Sequence, residues 1–364
     1  MVNLPNKIIV NILSRLSVTT LCRFKCVSKP WLALISDPFF IKTQLNRNTD
    51  DNHHHDRLIL LSSSSNFHSI NFKSFQFQNN FEAFHLKFPS KQNPNLCKEI
   101  WGSCNGLLLM LNDYFSFFLV NPSTRQSKKL PISPFSMNSV DKCLCLDSYG
   151  LGYDSSSDDH KVVSIAHYGY GCDFDDNIVS VYSLRTSSWR RIEDSPYIHT
   201  PYGPSSGIFV NGALHWFASS FVGSNNSTVI ASLDLTYENF GDVPSPVDDF
   251  VLFGELSVLG GCLCMIVSRR GGCKDVWVMK EYGVRDSWTK FTINHGCFPL
   301  CKALCLSKTG EFLLGICQKK LIFYNPKKKK FKRLVVRACP NHFVVGTYVE
   351  SLVSPNCSNM ITRQ

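Results

Sequence analysis

The sequence predicts a small all-α bundle followed by a large all-β domain, which we interpret as a β-propeller of about six blades. In residues 4–45, apolar side chains recur at helical spacing. From Arg57 onward, short alternating segments separated by Gly, Asn, Pro and Ser replace this period. One type of segment also recurs about every 50 residues, which indicates structural repeats.

The bundle is predicted from its helix starts and stops. Pro5 suits the first turn of a helix, because its missing N–H has no partner there, and apolar residues follow at helical spacing through Leu16. Ser17 and Ser28 can cap a second and a third helix. Asp37 stands before a proline and ends the third. A bundle of some 45 residues buries little surface alone, so several of its apolar residues are expected at an interface.

A polar segment, NRNTDDNHHHD at 46–56, follows the bundle and is predicted to be a linker. Its three adjacent histidines could hold a metal. Adjacent side chains do not face one another, however, and no cysteine or carboxylate cage accompanies them, so we favour the linker. These boundaries assign residues 1–45 to the bundle, 57–354 to the β domain and 355–364 to a tail.

The repeats of the β domain consist of a strand, a polar turn and an aromatic or aliphatic residue among basic ones. They lie at 117–131, 179–192, 229–244, 276–291 and 320–334. A glycine-led apolar strand precedes each one, at Gly106, Gly152, Gly212, Gly261 and Gly310, spaced 46, 60, 49 and 49 residues apart. This period is typical of a kelch-like propeller, although a distorted sandwich would show similar strands. A first unit at 58–72 gives about six blades, and a late strand at 342–353 is expected to close the ring beside Leu58 and Leu61.

Composition and charge narrow the classes of function. Apolar residues make up 44% of the chain and charged residues 18%, which excludes a generically disordered protein. The net charge is +10, and residues 1–45 contribute six basic residues against one acidic, or +5. The bundle is therefore suited to an acidic partner. The basic run at 327–333 could serve nuclear import or phosphate binding, but we favour a solvated blade edge because it occupies the turn position of a repeat.

The 16 cysteines form no C-x-x-C pair, so we interpret them as small apolar residues with free thiols and expect no metal and no cofactor. No signal peptide and no membrane-spanning run is indicated. The cytoplasm, the nucleus or both are therefore expected, with no membrane and no nucleic acid as partner. No G-x-S-x-G, Walker-type or H-E-x-x-H motif occurs.

The first 45 residues resemble the F-box of the large plant F-box families. The resemblance rests on Leu4 and Pro5, on Ile12 with Leu13, on Arg15 with Leu16, and on the string RFKCVSKPW at 23–31 followed by Ile35, Asp37, Pro38 and Phe40. The remainder is similar to the plant F-box-associated domain. The matching blocks are GSCNGLLLM (102–110), LVNPSTRQSKKLP (119–131), GLGYDSSSDDHKVV (150–163), VYSLRTSSWRRI (181–192), GIFVNGALHWFA (207–218), VWVMKEYGVRDSWTKF (276–291) and FYNPKKKKFKRL (323–334).

This resemblance implies a non-catalytic subunit of an SCF-type (Skp–cullin–F-box) ubiquitin ligase. Its F-box is expected to dock on a Skp-type adaptor, and through it on a cullin and a RING protein, while the β domain recruits a target protein. The residues carried over as adaptor contacts are Leu4, Pro5, Ile8, Ile12, Leu13, Leu16, Leu21, Val27, Ser28 and Trp31. Ile9, Phe24 and Leu34, with Leu21 and Leu13 as further candidates, can instead form only the core of the bundle.

The substrate site is less defined by the sequence. Propeller ligands usually meet rim loops or the central channel, so we favour the long loops around Tyr168, Tyr170, Tyr197, Tyr202 and Phe221. Three alternatives remain at this stage. They are a pollen S-locus F-box-type protein that targets self-incompatibility ribonucleases, a propeller metalloenzyme such as a copper oxidase, and a nucleic-acid binder suggested by the net charge.

Overall fold

The computed structural model describes most of the chain. The described residues are 5–50, 57–62, 66–71, 80–89, 97–135, 146–170, 173–199, 205–222, 225–247, 254–268, 273–293, 301–307, 310–316, 320–337 and 342–356. Four helices come first, and every later regular element is a strand apart from a 3-10 turn at Arg285–Ser287, within these residues. The predicted order of an α-helical bundle and an all-β domain is confirmed.

The helices are α1 (Asn6–Leu13), α2 (Val18–Phe24), α3 (Lys29–Ile35) and α4 (Pro38–Asp50). The predicted caps are present. The Ser17 hydroxyl accepts the N–H of Thr20 at 3.3 Å, and the Ser28 hydroxyl accepts the N–H of Trp31, also at 3.3 Å. Each cap satisfies a backbone donor that the first turn of a helix leaves without a partner.

Helix α4 is longer than predicted and enters the segment assigned to the linker. It continues to Asp50, so residues 46–50 of the predicted linker are helical. The physical reason is a side-chain contact between helices. The Arg47 guanidinium donates to the Asn11 carbonyl at 3.1 Å and to the Asn11 side chain at 2.9 Å, and also contacts the Ser14 hydroxyl. The polar composition of residues 46–50 predicted a linker, but the hydrogen bonds of Arg47 hold these residues in a helix. The remaining linker positions, 51–56, lie outside the described residues.

The described part of the β domain contains 26 strands. The first part of the β domain contains β1 (Arg57–Ser62), β2 (Phe67–Asn71), β3 (Asn80–Glu82), β4 (Phe84–Leu86), β5 (Cys97–Cys104), β6 (Leu107–Asn112), β7 (Phe117–Asn121) and β8 (Gln126–Lys129). The middle part contains β9 (Leu146–Asp154), β10 (Asp159–Tyr170), β11 (Asp173–Ser183), β12 (Ser188–Arg191), β13 (Ser206–Val210), β14 (Ala213–Val222), β15 (Asn225–Asp234) and β16 (Phe240–Val243). The last part contains β17 (Gly254–Leu259), β18 (Cys262–Ser268), β19 (Lys274–Met279), β20 (Trp288–Ile293), β21 (Cys301–Leu306), β22 (Phe312–Ile316), β23 (Lys320–Asn325), β24 (Lys330–Arg333), β25 (Val335–Arg337) and β26 (Phe343–Tyr348).

The strands form six antiparallel units of four, within the described residues. Blade 1 has the order β26-β1-β2-β4, and blade 2 has the order β5-β6-β7-β8. Blades 3 to 6 each contain four consecutive strands, β9–β12, β13–β16, β17–β20 and β21–β24. A short parallel pair, β25 with β3, links the ends of blades 6 and 1. Leucine, isoleucine and valine fill the layers between blades, so each unit buries its faces only against its neighbours.

The ring closes as the sequence predicts. The last strand, β26, pairs antiparallel with β1, and Leu60 stands opposite Val345. Blade 1 therefore combines β26 with three strands from the start of the β domain. This pairing removes the open sheet edge that the first and last strands would otherwise present to solvent.

Most of the turns between the third and fourth strands of the blades share one conformation, which explains the repeated motif. A residue at or next to the end of each turn adopts a positive φ: 58° at Arg125, 55° at Ser187, 55° at Glu238 and 50° at Lys329. The basic run of blade 6 thus forms a turn and the outermost strand β24, as predicted for a solvated blade edge. Blade 5 departs from this pattern through its 3-10 turn.

Of the five repeat glycines, four lie in turns between strands and the fifth, Gly152, lies within a strand. Gly106, Gly212, Gly261 and Gly310 have φ between 77° and 83° and lie between the first and second strands of their blades. Gly152 instead lies inside β9. In blade 3, Asp158 with φ 54° occupies the equivalent turn, which explains why the spacing around Gly152 was uneven.

Glycines also bring the innermost strands of blades 3 and 4 together. Gly150 in β9 stands opposite Gly207 in β13, and these parallel strands pair, so the two blades form one eight-stranded sheet. A Cβ atom on Gly207 would lie 2.5 Å from Cζ2 of Trp216, whose side chain is buried. The close approach therefore requires glycine at this position.

Gly207→Ala is expected to lower the free energy of unfolding by about 1–3 kcal/mol, because the added methyl group overpacks the buried indole. Urea unfolding followed by tryptophan fluorescence measures the effect. Gly241→Ala is the matched control, since the nearest atom to its new Cβ, the Ser232 hydroxyl oxygen, is 3.6 Å away. Equal losses in both variants would contradict the packing explanation.

Candidate functional site

The structure divides the predicted adaptor contacts by exposure. The exposed ones are Pro5, Ile8, Ile12, Val27 and Ser28. Leu16 and Trp31 are half-buried. Leu4 lies outside the described residues. Ile8 and Ile12, at 45% and 52% exposure, are one helical turn apart and so share one face of α1.

Leu13 and Leu21 lie in the core of the bundle instead. They are 3% and 0% exposed, and they pack with Val18, Ile35 and Phe40. A partner cannot touch them while the bundle keeps this packing, so we reassign both to the core. Ile9, Phe24 and Leu34 pack against the same cluster, as the core interpretation expected.

Two exposed apolar residues of the bundle were not among the predicted contacts. Leu32 on α3 is 47% exposed and Phe39 on α4 is 74% exposed. Large apolar side chains that remain exposed indicate an interaction surface when several occur on one small domain. The position of Phe39 in the sequence could have indicated this exposure. Phe39 lies in the first turn of α4, directly before the buried Phe40, so the two side chains point in different directions.

The bundle is attached to the propeller by the segment that follows β26. We call residues 349–356, which follow β26, the C-terminal strap. Leu352 of this strap is 2% exposed and belongs to the hydrophobic core of the bundle. Burial raises the pKa of the Cys22 thiol on α2, and Glu350 of the strap and Arg125 of blade 2 lie close enough to affect it.

Hydrogen bonds hold the strap on blade 2. The buried Asn121 amide donates to the carbonyls of Ser351 at 3.1 Å and Val353 at 2.6 Å. The Ser351 hydroxyl in turn donates to the Asn105 carbonyl at 2.8 Å. The asparagine of the LVNPSTR block therefore anchors the strap. Glu350 adds an ion pair to Arg57 at 2.7 Å, at the start of blade 1.

A second contact joins the bundle to blade 3. The Lys42 ammonium on α4 lies 3.1 Å from the Asp158 carboxylate, which the Tyr153 hydroxyl also contacts. The two charged side chains are 50% and 61% exposed. An ion pair this exposed adds little stability, so its main effect is on the orientation of the bundle. Asp158, Asn105 and Arg125 all lie in turns at the same end of the blades. We call this end the F-box-side face of the propeller.

The predicted substrate loops lie at the other end, which we call the open face. In a run of antiparallel strands the connections alternate between the two ends, so the β10–β11, β12–β13 and β14–β15 connections share the open face. Tyr197 is half-buried in the β12–β13 connection. The side chains of Tyr168, Tyr170 and Phe221 lie outside the described part of the chain, and so does Tyr202 entirely.

Two buried histidines, His167 and His199, lie beneath the loops of the open face and take part in its hydrogen bonds. The Ser195 hydroxyl lies 2.6 Å from Nε2 of His199, and the His199 backbone N–H donates to Nε2 of His167 at 3.3 Å. Burial lowers the pKa of His167 to about 4 and, together with His167, that of His199 to about 3. Both rings are therefore neutral near pH 7. They connect blade 3 to the segment before blade 4 and present no exposed nucleophile or base.

Metal ligands, reactive cysteines and membrane-spanning helices are the features that would indicate another kind of function. No group of three His, Cys, Asp or Glu side chains that could hold a metal occurs there. The eight cysteines whose side chains the structure describes are free thiols, and burial raises the pKa of Cys97 to about 12. None of the helices described is long and apolar enough to cross a membrane.

Comparisons with known proteins match both parts of the chain. The F-box domain model matches residues 1–43, and the model of the F-box associated beta propeller domain matches residues 57–355. F-box protein CPR1 of Arabidopsis thaliana is 33% identical, over 97% of this chain and 89% of that protein. F-box/kelch-repeat protein At3g23880 of Arabidopsis thaliana is 30% identical, over 97% of this chain and 96% of that protein.

These matches agree with the architecture. The helices lie within or directly after the region that the F-box model matches, and the six blades lie within the region that the propeller model matches. The chain belongs to the family of plant F-box proteins that carry an F-box associated β-propeller domain.

Proposed function

We propose that this chain is the substrate-recognition subunit of an SCF-type ubiquitin ligase. Its F-box docks on a Skp-type adaptor, and through it on a cullin and a RING protein, while the propeller recruits a target protein. The observation that carries the proposal is the exposed apolar set on the F-box, Ile8, Ile12, Val27, Leu32 and Phe39. A solvated bundle of this size gains nothing from exposing five large apolar side chains, whereas a docked one buries them.

Electrostatics supports an acidic partner for this surface. Residues 1–45 carry a net charge of +5, and opposite charges on two partners raise the rate of their encounter. The ligase role needs no nucleophile from this chain, because holding a target lysine near the charged conjugating enzyme makes the transfer effectively unimolecular. We therefore propose a non-catalytic role, in the cytoplasm, the nucleus or both.

The double variant Ile8→Asp/Ile12→Asp is expected to lose the adaptor complex. Truncation of a buried interface anchor typically costs about 2 kcal/mol or more, so two charged replacements weaken binding at least about a hundredfold. Both side chains are about half exposed in the free protein, so the fold should persist. Co-purification with a plant Skp-type adaptor, followed by titration calorimetry, measures the loss.

Phe84→Asp is the matched control, since Phe84 is 57% exposed but lies on β4 of the propeller. It is expected to bind the adaptor as the wild type does. Failure of the folded wild-type chain to bind the adaptor would refute the ligase role. Unchanged binding by the double variant would move the adaptor contact away from α1.

A further inference from the structure

A groove separates the outer parts of blades 2 and 3. Blade 2 contributes Phe117 and the segment that follows β8, and blade 3 contributes Tyr149, Val162 and Trp189. The recess has a volume of about 30 Å³, and Phe115 and Ile132 stand at its mouth. The Trp189 indole N–H donates to the Pro131 carbonyl at 2.8 Å and so joins the two sides of the groove.

The rim of this groove exposes more apolar surface than folding requires. Tyr114, Phe115 and Ile132 are 73%, 83% and 64% exposed. Just inside, Trp101, Phe117 and Tyr149 form an aromatic cluster, with ring centroids 4.0 to 5.9 Å apart. Aromatic side chains of this kind are enriched where proteins bind one another.

Phe115 is also held in a conformation that an aromatic residue rarely adopts. Its φ is 53°, in the left-handed region that favours glycine. The Asn112 side chain fixes the turn by accepting the N–H groups of Tyr114 at 3.0 Å and Ser116 at 2.9 Å. Neither burial nor backbone preference explains a phenylalanine here. Strained residues of this type are concentrated at binding sites.

Lys128 places a positive charge on the blade 2 wall of the groove. Lys128 of β8 reaches across to blade 3, where its ammonium contacts the Ser187 hydroxyl at 2.8 Å and lies 5.6 Å from the centre of the Tyr182 ring. Arg191 of β12 stands opposite Ser180, whose hydroxyl bonds Ser133 inside the groove, but its guanidinium is already paired with the Asp194 carboxylate at 2.6 Å. The outer strands β8 and β12 contain four basic residues and no acidic one.

We propose that this groove binds an extended segment of the target protein that presents one apolar side chain with acidic residues beside it. The apolar side chain enters the recess between Phe115, Ile132 and Trp189, and the acidic residues lie near Lys128. At about 30 Å³ the recess admits only the tip of that side chain, and the exposed rim contacts the rest. This inference rests on the proposed recruitment role and assigns the place and the chemistry of recruitment.

The test is a selection from a displayed library of random 12-residue peptides on the immobilised full-length chain in complex with its adaptor. The expected consensus is an apolar residue with Asp or Glu within three positions. A synthetic consensus peptide is then measured by fluorescence anisotropy. Phe115→Gly is expected to weaken its binding at least tenfold. Tyr237→Gly is the matched control, because Tyr237 is 80% exposed in a turn on the F-box-side face, and it should bind normally.

Stability gives a second measurement that separates binding from folding. Since glycine relieves the positive φ at position 115, Phe115→Gly should unfold at the same or a higher urea concentration than the wild type while it loses the peptide. Lys128→Glu should weaken the binding of the acidic peptide and strengthen the binding of a peptide that carries lysines at the acidic positions.

Each other outcome overturns the proposal. A selection without consensus, a basic consensus, or a consensus peptide that binds Phe115→Gly as tightly as the wild type excludes this groove as the site. The adaptor complex decides the proposed function independently. If the chain binds the adaptor but the groove fails these tests, only the groove is excluded, and if no adaptor complex forms, the ligase role fails whatever the groove binds.

Discussion

Replacing Leu352 by aspartate is expected to unfold the F-box while the propeller stays folded. Leu352 is 2% exposed in the core of the F-box, although it lies more than 300 residues away in the chain. Truncating such a leucine to alanine costs about 2–5 kcal/mol, and an unpaired buried carboxylate costs more. A bundle of this size has little stability to lose.

Hydrogen–deuterium exchange measures this effect separately in each domain. The amides of α1 to α4 should lose protection in Leu352→Asp, whereas those of the inner blade strands should keep it. Leu32→Asp is the control, because Leu32 lies in the F-box itself but is 47% exposed. It should leave exchange unchanged. Full protection of the helices in Leu352→Asp would show that the strap contact does not support the F-box.

Mild acid is expected to destabilise the propeller strongly. His167, His199 and His215 are buried, and burial lowers their pKa values to about 4, 3 and 4 from an ordinary value of 6.5. Below pH 6.5 the unfolded chain therefore binds protons that the folded chain does not. The stability that these neutral rings provide is complete above pH 6.5, and it falls with pH until the folded values near 4 and 3 are reached.

Each histidine costs about 1.4 kcal/mol at pH 5.5 relative to pH 7.5, so the three together cost about 4 kcal/mol, a large part of an ordinary folding free energy. Urea unfolding between pH 8.5 and 5.5 measures the slope. The midpoint should stay level from 8.5 to 7.5 and then fall.

His215→Gln is designed to keep the acceptor that the Tyr282 hydroxyl now finds at 2.8 Å and to remove one titrating group. Its midpoint should fall less steeply with pH than that of the wild type, whatever its stability at pH 7.5. A flat wild-type profile down to pH 5.5 would contradict the assignment of neutral buried rings.

Local patterns were sufficient to predict the bundle and the ring. Hydroxyl caps at Ser17 and Ser28 and a stripe of apolar residues act over a few residues, so the helices could be predicted directly. The pairing of β26 with β1 could be predicted because an apolar strand without a partner remained at each end of the β domain. By contrast, Gly152 was indistinguishable from the turn glycines, since sequence spacing does not show that a Cβ there would meet Leu235.

The site depended more on contacts between distant residues. No period marks Leu352 as part of the F-box, because a single leucine in an irregular segment has no local signature. Leu13 and Leu21 share their chemistry with Ile8 and Ile12, and only the packed structure shows which pair is buried. The groove was missed for a related reason. Phe115 and Ile132 belong to turns of blade 2 and meet Trp189 only after blade 3 packs beside them.

The strap has a consequence for how the protein is made on the ribosome. The F-box precedes the propeller in the chain, but Leu352, which completes its core, follows more than 300 residues later. At about 5–20 residues per second, roughly 15 to 60 s of translation separate the two. During that interval the nascent F-box lacks part of its core, and blade 1 lacks β26. Both domains are therefore completed by translation of the same segment, 343–352, and a message truncated before that segment yields neither of them complete.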